Sequence, residues 1–256
     1  MTKSVRTPSG SWQQRYMDRF YGAHQGWVDG TSRFHRICQL AVPDGSDSTP
    51  LLLEIGSGPP NKTSDFLAGL GSLTGVDTDP IVEANPALRV ACLVSDENLP
   101  FPDSSFDACF SNWVLEHVSN PIRHLSEVNR VLRPGGRYIA RTPNRLHYVS
   151  ATAALTPYRF HKFAANRLRA LPSGTHDPWR TFYRLNTRRS LTKAANEVGL
   201  DVETITWFEP QPCYGMASRF LFLMFVGYER LVNLSGSFEG LRHTIFVVFH
   251  KRVQEA

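Results

Sequence analysis

Three carboxylates stand at spacings that suit a nucleoside. Glu54 lies in the apolar run LLLEI and is followed by Gly56, Ser57 and Gly58. Asp77 closes the run SLTGVD, 23 residues after Glu54, with Thr78 beside it. Asp96 opens the stretch DENLPFPDSSFD, just after LRVACLV, with Glu97 next to it. Each could do a different piece of chemistry. Glycines let a backbone turn tightly and approach a ligand closely. An acid at the tip of the second strand can accept hydrogen bonds from both hydroxyls of a ribose. An acid after the third can accept one from the exocyclic amine of adenine, with Leu99 or Phe101 covering the flat ring. Ordinary roles compete with these. Asp77 could simply start a turn, but Asp79, before Pro80, fits that role better. Asp96 taken alone reads as part of a surface loop. The pattern E-x-G-x-G is weak by itself and gains weight from a strand before it and a helix after it.

The same turn argues against a dinucleotide. A pyrophosphate needs backbone donors at a helix start and a third glycine for close packing of helix on strand. Here Pro59 and Pro60 remove two donors from that place. The loss counts against NAD, which stays a distant option, and matters little for a ligand without phosphate.

The elements that must hold these groups follow from the apolar runs. LLLEI (51–55), SLTGVD (72–77), LRVACLV (88–94), FDACFSN (106–112) and GRYIART (136–142) read as strands. Helices separate them: 61–70, with Asn61 as N-cap, and 121–132, stopped by Pro134-Gly135-Gly136. Near-continuous apolar strands alternating with helices predict an α/β fold, a doubly wound and mostly parallel sheet covered on both faces. A helix over 186–200, stopped by Gly199, precedes two more strand candidates, 201–208 and 243–250. That makes seven strands, the last expected antiparallel beside its predecessor. A chain of 256 residues, 41% hydrophobic and 20% charged, can bury such a core without disulfides. Cys38, Cys92, Cys109 and Cys213 sit far apart, in no metal-ligand spacing, and read as free thiols of a reducing cytosol. The first residues carry no apolar leader, so a cytoplasmic location is expected.

LEIGSGPP, GVDTDP, SDENLPFPDSSFDACFSNWVLEHVSNP and LSEVNRVLRPGGRYIARTPN, in this order over residues 51–144, resemble the successive motifs of the class I S-adenosylmethionine-dependent methyltransferases. The resemblance is closest to the group that includes the small-molecule methyltransferases of quinone biosynthesis. It implies a Rossmann-like methyltransferase fold and S-adenosylmethionine as cofactor. The turn from Glu54 to Gly58 would hold the methionine part, Asp77 with Thr78 the ribose, and Asp96 with the backbone at Glu97 the adenine. Ser111 and Asn112 would line the cofactor near its sulfonium. The family often has a glycine where Pro59 stands, which bears on the shape of the turn. The N-terminal helix, with Arg15, Tyr16 and Tyr21, is placed like the family's lid, although simple packing explains its tyrosines as well. The implied organisation is a helical lid over 1–45 and a methyltransferase domain over 46–256, with insertions at 144–186 and 209–240.

The insertions bear on the acceptor. Residues 144–189 carry nine Lys/Arg against one acid, Asp177, a local charge of +8 in a chain of net +5. A field of this kind favours an anionic partner, and a solvated basic face accounts for it equally well. Tyr148, Tyr158, Phe160, Phe163, Trp179, Phe182 and Tyr183 are interleaved with the arginines, Arg180 among them. The mixture suits an acceptor with an apolar body and an anionic group, with Tyr148, Tyr183 and Arg180 as its contacts. The tract GTHD within 172–187 resembles a segment of the quinone-pathway O-methyltransferases.

Candidate bases are His147, which follows the fifth strand in TPNRLHYV, and His176, beside Asp177. His117, in LEHV, reads rather as a histidine bonded to backbone. FLFLMFVG (220–227) is too short to span a bilayer and reads as a buried helix or, with its surroundings over 216–231, as a peripheral membrane contact. The leading function is methyl transfer to a small or lipidic acceptor, at oxygen before nitrogen or carbon. An RNA methyltransferase is the alternative enzyme, though no RNA-binding module is visible and Ser111-Asn112-Trp113-Val114 is not the Asn/Asp-Pro-Pro-aromatic pattern; nucleic acid is not favoured as partner. A non-catalytic cofactor-binding protein at a lipid surface is the alternative of another class.

Overall fold

The computed structural model describes residues 11–43, 48–95, 98–150, 180–212 and 214–253. The chain divides into two compact units. One comprises residues 31–145, 179–207 and 244–256, the other residues 1–30, 146–178 and 208–243.

The first unit is built on a sheet of seven strands: β1 (Leu51–Ile55), β2 (Ser72–Asp77), β3 (Val90–Leu93), β4 (Phe106–Asn112), β5 (Leu132–Pro143), β6 (Leu200–Phe208) and β7 (Thr244–Lys251). Their order is β3-β2-β1-β4-β5-β7-β6. β1 pairs in parallel with β2 and β4, β2 with β3, and β4 with β5, while β7 runs antiparallel to β5. This is the doubly wound, mostly parallel architecture expected from the alternating apolar runs. The last strand lies beside its predecessor, β6, as expected, and on its other side runs antiparallel to β5. The long connection from β5 to β6 lets β6 settle one place further out, and an antiparallel strand fills the gap.

Among the described residues, four helices belong to this unit: α2 (Gly30–Ala41), which enters it at Thr31, α3 (Lys62–Ala68), α4 (Pro121–Val131) and α5 (Arg188–Val198). Their ends follow local chemistry. The Asn61 side chain accepts from the N–H groups of Thr63 and Ser64, Asn120 caps α4, and Gly199 closes α5 at φ 81°. Leu125, Val128 and Val131 of α4 and Leu191 and Ala195 of α5 are buried with Leu53, Cys109, Tyr138, Ile245 and Val247 in one core. Phe246, pointing to the opposite face by strand alternation, stacks on Phe34 of α2 at 6.2 Å. Pro134-Gly135-Gly136 forms a bulge inside β5 instead of a loop before it. Phe106 pairs with Leu132, and the next pair is Ala108 with Arg137. Cys38 and Cys109 are buried free thiols, and Cys92 is half-buried and free.

The second unit packs α1 (Trp12–Tyr21) and α6 (Arg219–Asn233) around aromatic rings. Tyr21, Phe222 and Val226 are buried, with Trp12, Tyr16, Met17, Phe20, Trp27 and Met216 against them. Phe222 meets Tyr16 edge-on at 5.8 Å and Tyr21 at 6.4 Å. Both helices start on serine caps, Ser11 and Ser218. Among the described residues no helix is long and apolar enough to cross a membrane.

Candidate functional site

The strand register gathers the site. Ile55 pairs with Val76 and with Ser111, Asp77 with Leu93, and Asn112 with Arg141. The turn after β1, Asp77, Asn112 and Arg141 therefore share the carboxyl edge of the sheet. β1 lies between β2 and β4, where the strand order reverses, and crevices of open α/β sheets form at such a switch point.

The turn is held in a shape that only glycines fill easily. Gly56 has φ 71° and Gly58 φ 57°. A Cβ on Gly56 would lie 2.4 Å from Cγ2 of Val114. The N–H groups of Gly56 and Ser57 both donate to the carbonyl of Val76, at 2.8 and 3.2 Å. Ser57 is buried, and its hydroxyl faces that same carbonyl at 3.4 Å. Asn61 ties the far side of the turn through the carbonyls of Ser57 and Pro59.

Asp77 is oriented by backbone. Gly58 N–H donates to Oδ2 at 2.8 Å, and Asp79 N–H donates to Oδ1 at 2.9 Å. Each oxygen keeps a lone pair for a further donor, as two adjacent hydroxyls require. Asp79 is the turn-starter, capping Ile81 N–H. Thr78 lies exposed beside Asp77. Glu54 is buried and accepts from Ser64 Oγ at 2.7 Å. Burial pushes its carboxyl up to about 7, against the opposing hydrogen bond from Ser64.

At the end of β4 the two expected residues behave differently. Ser111 is fully buried and its hydroxyl pairs with Tyr138 Oη at 2.7 Å, so its side chain serves the core. Asn112 donates from Nδ2 to Thr63 Oγ1 at 3.2 Å, while its Oδ1 is shut off from solvent without a hydrogen-bond partner. Trp113 then reverses the chain at φ 62°, a region a bulky residue rarely occupies. The Arg141 guanidinium lies 4.5 Å from its ring centre. Asp96 and Glu97, the adenine-side residues, lie outside the described residues, as does His176.

Glu116 was missed by sequence reasoning. It is buried in the turn after β4, accepts from Thr142 Oγ1 at 3.1 Å, and is raised by burial to about 7. The available signal was an acid inside the apolar tract VLEHV. Its backbone carbonyl also accepts from the N–H groups of Phe182 and Tyr183, at 2.7 and 3.2 Å. His117 Nδ1 donates to the carbonyl of Arg180 at 2.9 Å, the backbone role expected for it. Tyr183, at φ 51°, and Arg180, whose guanidinium lies 5.0 Å from the Phe182 ring centre, are thereby brought to the carboxyl end of β4. Arg145 N–H donates to Asn186 O at 2.9 Å and joins the two ends of the 144–186 segment.

His147 and Tyr148 belong to the second unit. His147 is buried, and Val149 N–H donates to its Nδ1 at 3.3 Å, so the ring proton sits on Nε2. That nitrogen faces Glu209 Oε1 at 3.3 Å. Burial lowers His147 to about 4 and raises Glu209 to about 8, so the contact is between neutral groups near pH 7. Tyr148 stacks on Phe225 at 5.7 Å.

The residues of the first unit fit S-adenosylmethionine. The turn admits a close ligand, Asp77 offers two oriented acceptors, and the Asn112 carbonyl offers negative potential without a proton. The first N–H groups of α3 are taken by Asn61, and Pro59 and Pro60 give none, which suits a ligand lacking phosphate.

Residues 53–140 match the family described as methyltransferase domain. A curated protein of Mycobacterium sp. (strain KMS), named uncharacterized methyltransferase, is 32% identical over 167 residues, covering 63% of this chain and 62% of that protein. The chain thus spans less than two thirds of the length of this relative. A demethylmenaquinone methyltransferase of Symbiobacterium thermophilum is 50% identical over 42 residues, 16% of this chain and 17% of its own. The crystal structure of an S-adenosylmethionine-dependent methyltransferase from Methanosarcina mazei superposes with TM-score 0.51 at 16% identity, covering 82% of this chain and 95% of that one. This last likeness concerns the fold.

Proposed function

We propose, from the premise that this chain carries a class I S-adenosylmethionine-dependent methyltransferase domain, that the protein transfers a methyl group to a small or lipidic acceptor, at oxygen first. The observation that carries the reading is the Asp77 carboxylate, each oxygen aimed by one backbone N–H, beside a two-glycine turn whose helix start holds no donor for phosphate. When bound, S-adenosylmethionine supplies a methyl already activated as a sulfonium, so positioning is the main task left to the chain.

The residues divide that task. Asp77 takes the ribose hydroxyls, with Thr78 beside it. Gly56, Ser57 and Gly58 receive the methionine part through their backbone, with Glu54 beneath them. Asp96 and Glu97 receive the adenine. Asn112 turns its carbonyl to the positive centre. Tyr183 and Arg180 contact the acceptor, with Tyr148 named beside them from sequence alone. A hydroxyl acceptor needs a base. His147 and His176 are the bases assigned from sequence, and Glu116, raised to about 7, joins them as a group able to exchange a proton near neutrality.

The short identity to a demethylmenaquinone methyltransferase supports an aromatic, lipid-like acceptor. An RNA acceptor has less support, because Phe182 and Trp207 already carry arginines over their rings, at 5.0 and 4.4 Å. Labelled methyl transfer into a mixed metabolite and lipid extract tests the reading. Label is expected in a small or lipidic product, and S-adenosylhomocysteine, unlike NADH, is expected to raise Tm by several degrees. Equal shifts with the two compounds, or label in RNA alone, would remove it.

A further inference from the structure

Helix α6 is apolar on two sides, and among the described residues only one of them is buried within its unit. Phe222, Val226 and Val232 are buried. Phe220, Leu223, Met224, Leu231 and Leu234 are exposed, Phe220 at 76% and Leu234 at 78%. Those positions, with Gly227 between them, repeat at helical spacing and form one stripe. Phe238 and Leu241, in the 3-10 turn that follows, extend the same apolar surface. Single exposed leucines are normal, but a contiguous stripe of this length marks a contact surface.

On the helix itself the exposed charges have one sign, and the turn that follows carries one half-buried acid, Glu239. Arg219 and Arg230 are exposed. The one acid on the helix, Glu229, is buried, accepting from Tyr21 Oη and from Asn233. Arg230 donates to the carbonyl of Phe20 and lies 3.4 Å from the Glu229 carboxylate, while its side chain stays half exposed. Arg219 sits at the positive end of the helix dipole, where water alone gives it little compensation and an anion gives more. At 15 residues the helix is too short to cross a bilayer and suits lying along one.

We propose that the exposed face of α6 docks on an anionic lipid surface, its apolar stripe entering the acyl boundary and Arg219 and Arg230 meeting the phosphates. A second copy of the chain fits this face poorly. A two-fold pairing would bring a second set of exposed arginines to the same interface, with no exposed acid on the helix to answer them. The proposal stands apart from the methyl-transfer reading, since it requires no acceptor and no cofactor.

Co-sedimentation of the full chain tests it, with vesicles of phosphatidylcholine alone and of equimolar phosphatidylcholine and phosphatidylglycerol. The wild-type protein should pellet with the mixed vesicles, much less with phosphatidylcholine, and be released by salt. Gly227 has nothing within 4 Å of where a Cβ would stand, so Gly227→Asp places a charge in the stripe without a clash. It should weaken pelleting about tenfold with Tm unchanged or raised, and Gly227→Trp should strengthen it. Phe220→Ser serves as a second loss variant. Arg219→Gln should weaken pelleting with the mixed vesicles only. Pelleting with neither vesicle overturns the proposal, as do variants that sediment like wild type. Equal pelleting with the two vesicles overturns its anionic part. A concentration-dependent dimer abolished by Gly227→Asp overturns it in favour of self-association.

Discussion

The two units bury acids in different company. In the sheet unit, Glu54 and Glu116 lie at strand ends and are met by hydroxyls, Ser64 and Thr142. In the aromatic unit, Glu209 accepts from a backbone N–H, His243, and Glu229 from a phenol and an amide, Tyr21 and Asn233. Glu54 directly precedes the two-glycine turn, and Glu116 holds the segment after β4 to Thr142 and to Phe182 and Tyr183. The second pair fastens chain segments far apart in sequence, 208 residues in the case of Tyr21 and Glu229. A buried carboxylate is thus no sign of a site by itself. Its meaning depends on whether its neighbours form a cradle or a clasp.

The sharpest way to break this comparison is to damage the clasp and watch the cradle. Phe222→Ala removes a fully buried ring from the aromatic core and should cost about 3–5 kcal/mol of that unit's stability, read as an early transition in chemical denaturation. Affinity for S-adenosylhomocysteine, measured by calorimetry, should hold. Loss of binding in a folded Phe222→Ala protein would show that the two regions do not divide the work.

Acid pH should separate them next. Glu54 and Glu116 bind protons more tightly folded than unfolded, with values raised to about 7. Their contribution to stability is therefore present below the unfolded carboxylate range and lost as pH rises through about 7, by up to about 3 kcal/mol each. In the aromatic unit, Glu209, raised to about 8, acts in the same sense, while His147, lowered to about 4, acts against it between about 4 and the ordinary histidine range. Urea midpoints should fall from acid to neutral pH, and Glu54→Gln with Glu116→Gln should flatten most of that fall. If Glu116 exchanges the catalytic proton, Glu116→Gln should also remove the acidic limb of the rate profile. A profile of unchanged shape would return Glu116 to a positioning role.

The smallest expected effect tests the cradle alone. Asp77→Ala should weaken S-adenosylhomocysteine binding by about 1–3 kcal/mol, since oriented partners lose a charged acceptor. Tm without ligand should change little by comparison. Unchanged affinity would take Asp77 out of the site.

Much of the cradle was legible in the chain because it is local. Strand, turn and helix follow one another between Leu51 and Ala68, and Asn61 caps the helix from its own sequence neighbourhood. Asp77 ends the next strand, so parallel pairing alone brings it level with the turn. Ser111 shows the limit. Its place at the end of β4 was readable, but the direction of its hydroxyl depends on Tyr138, 27 residues away. Trp113 hid its role too, because nothing in a tryptophan announces a positive φ.

The sequence by itself determined the sheet, the two-glycine turn and the acids at its edge, since hydrophobic periodicity and backbone stereochemistry act over a few residues. Only the tertiary structure decided that His147 faces Glu209, that Glu116 is buried beside Thr142, that β7 enters between β5 and β6, and which side of α6 meets water. Those outcomes depend on which distant surfaces exclude solvent from one another, and burial of that kind arises when the chain packs, not in any single stretch of it.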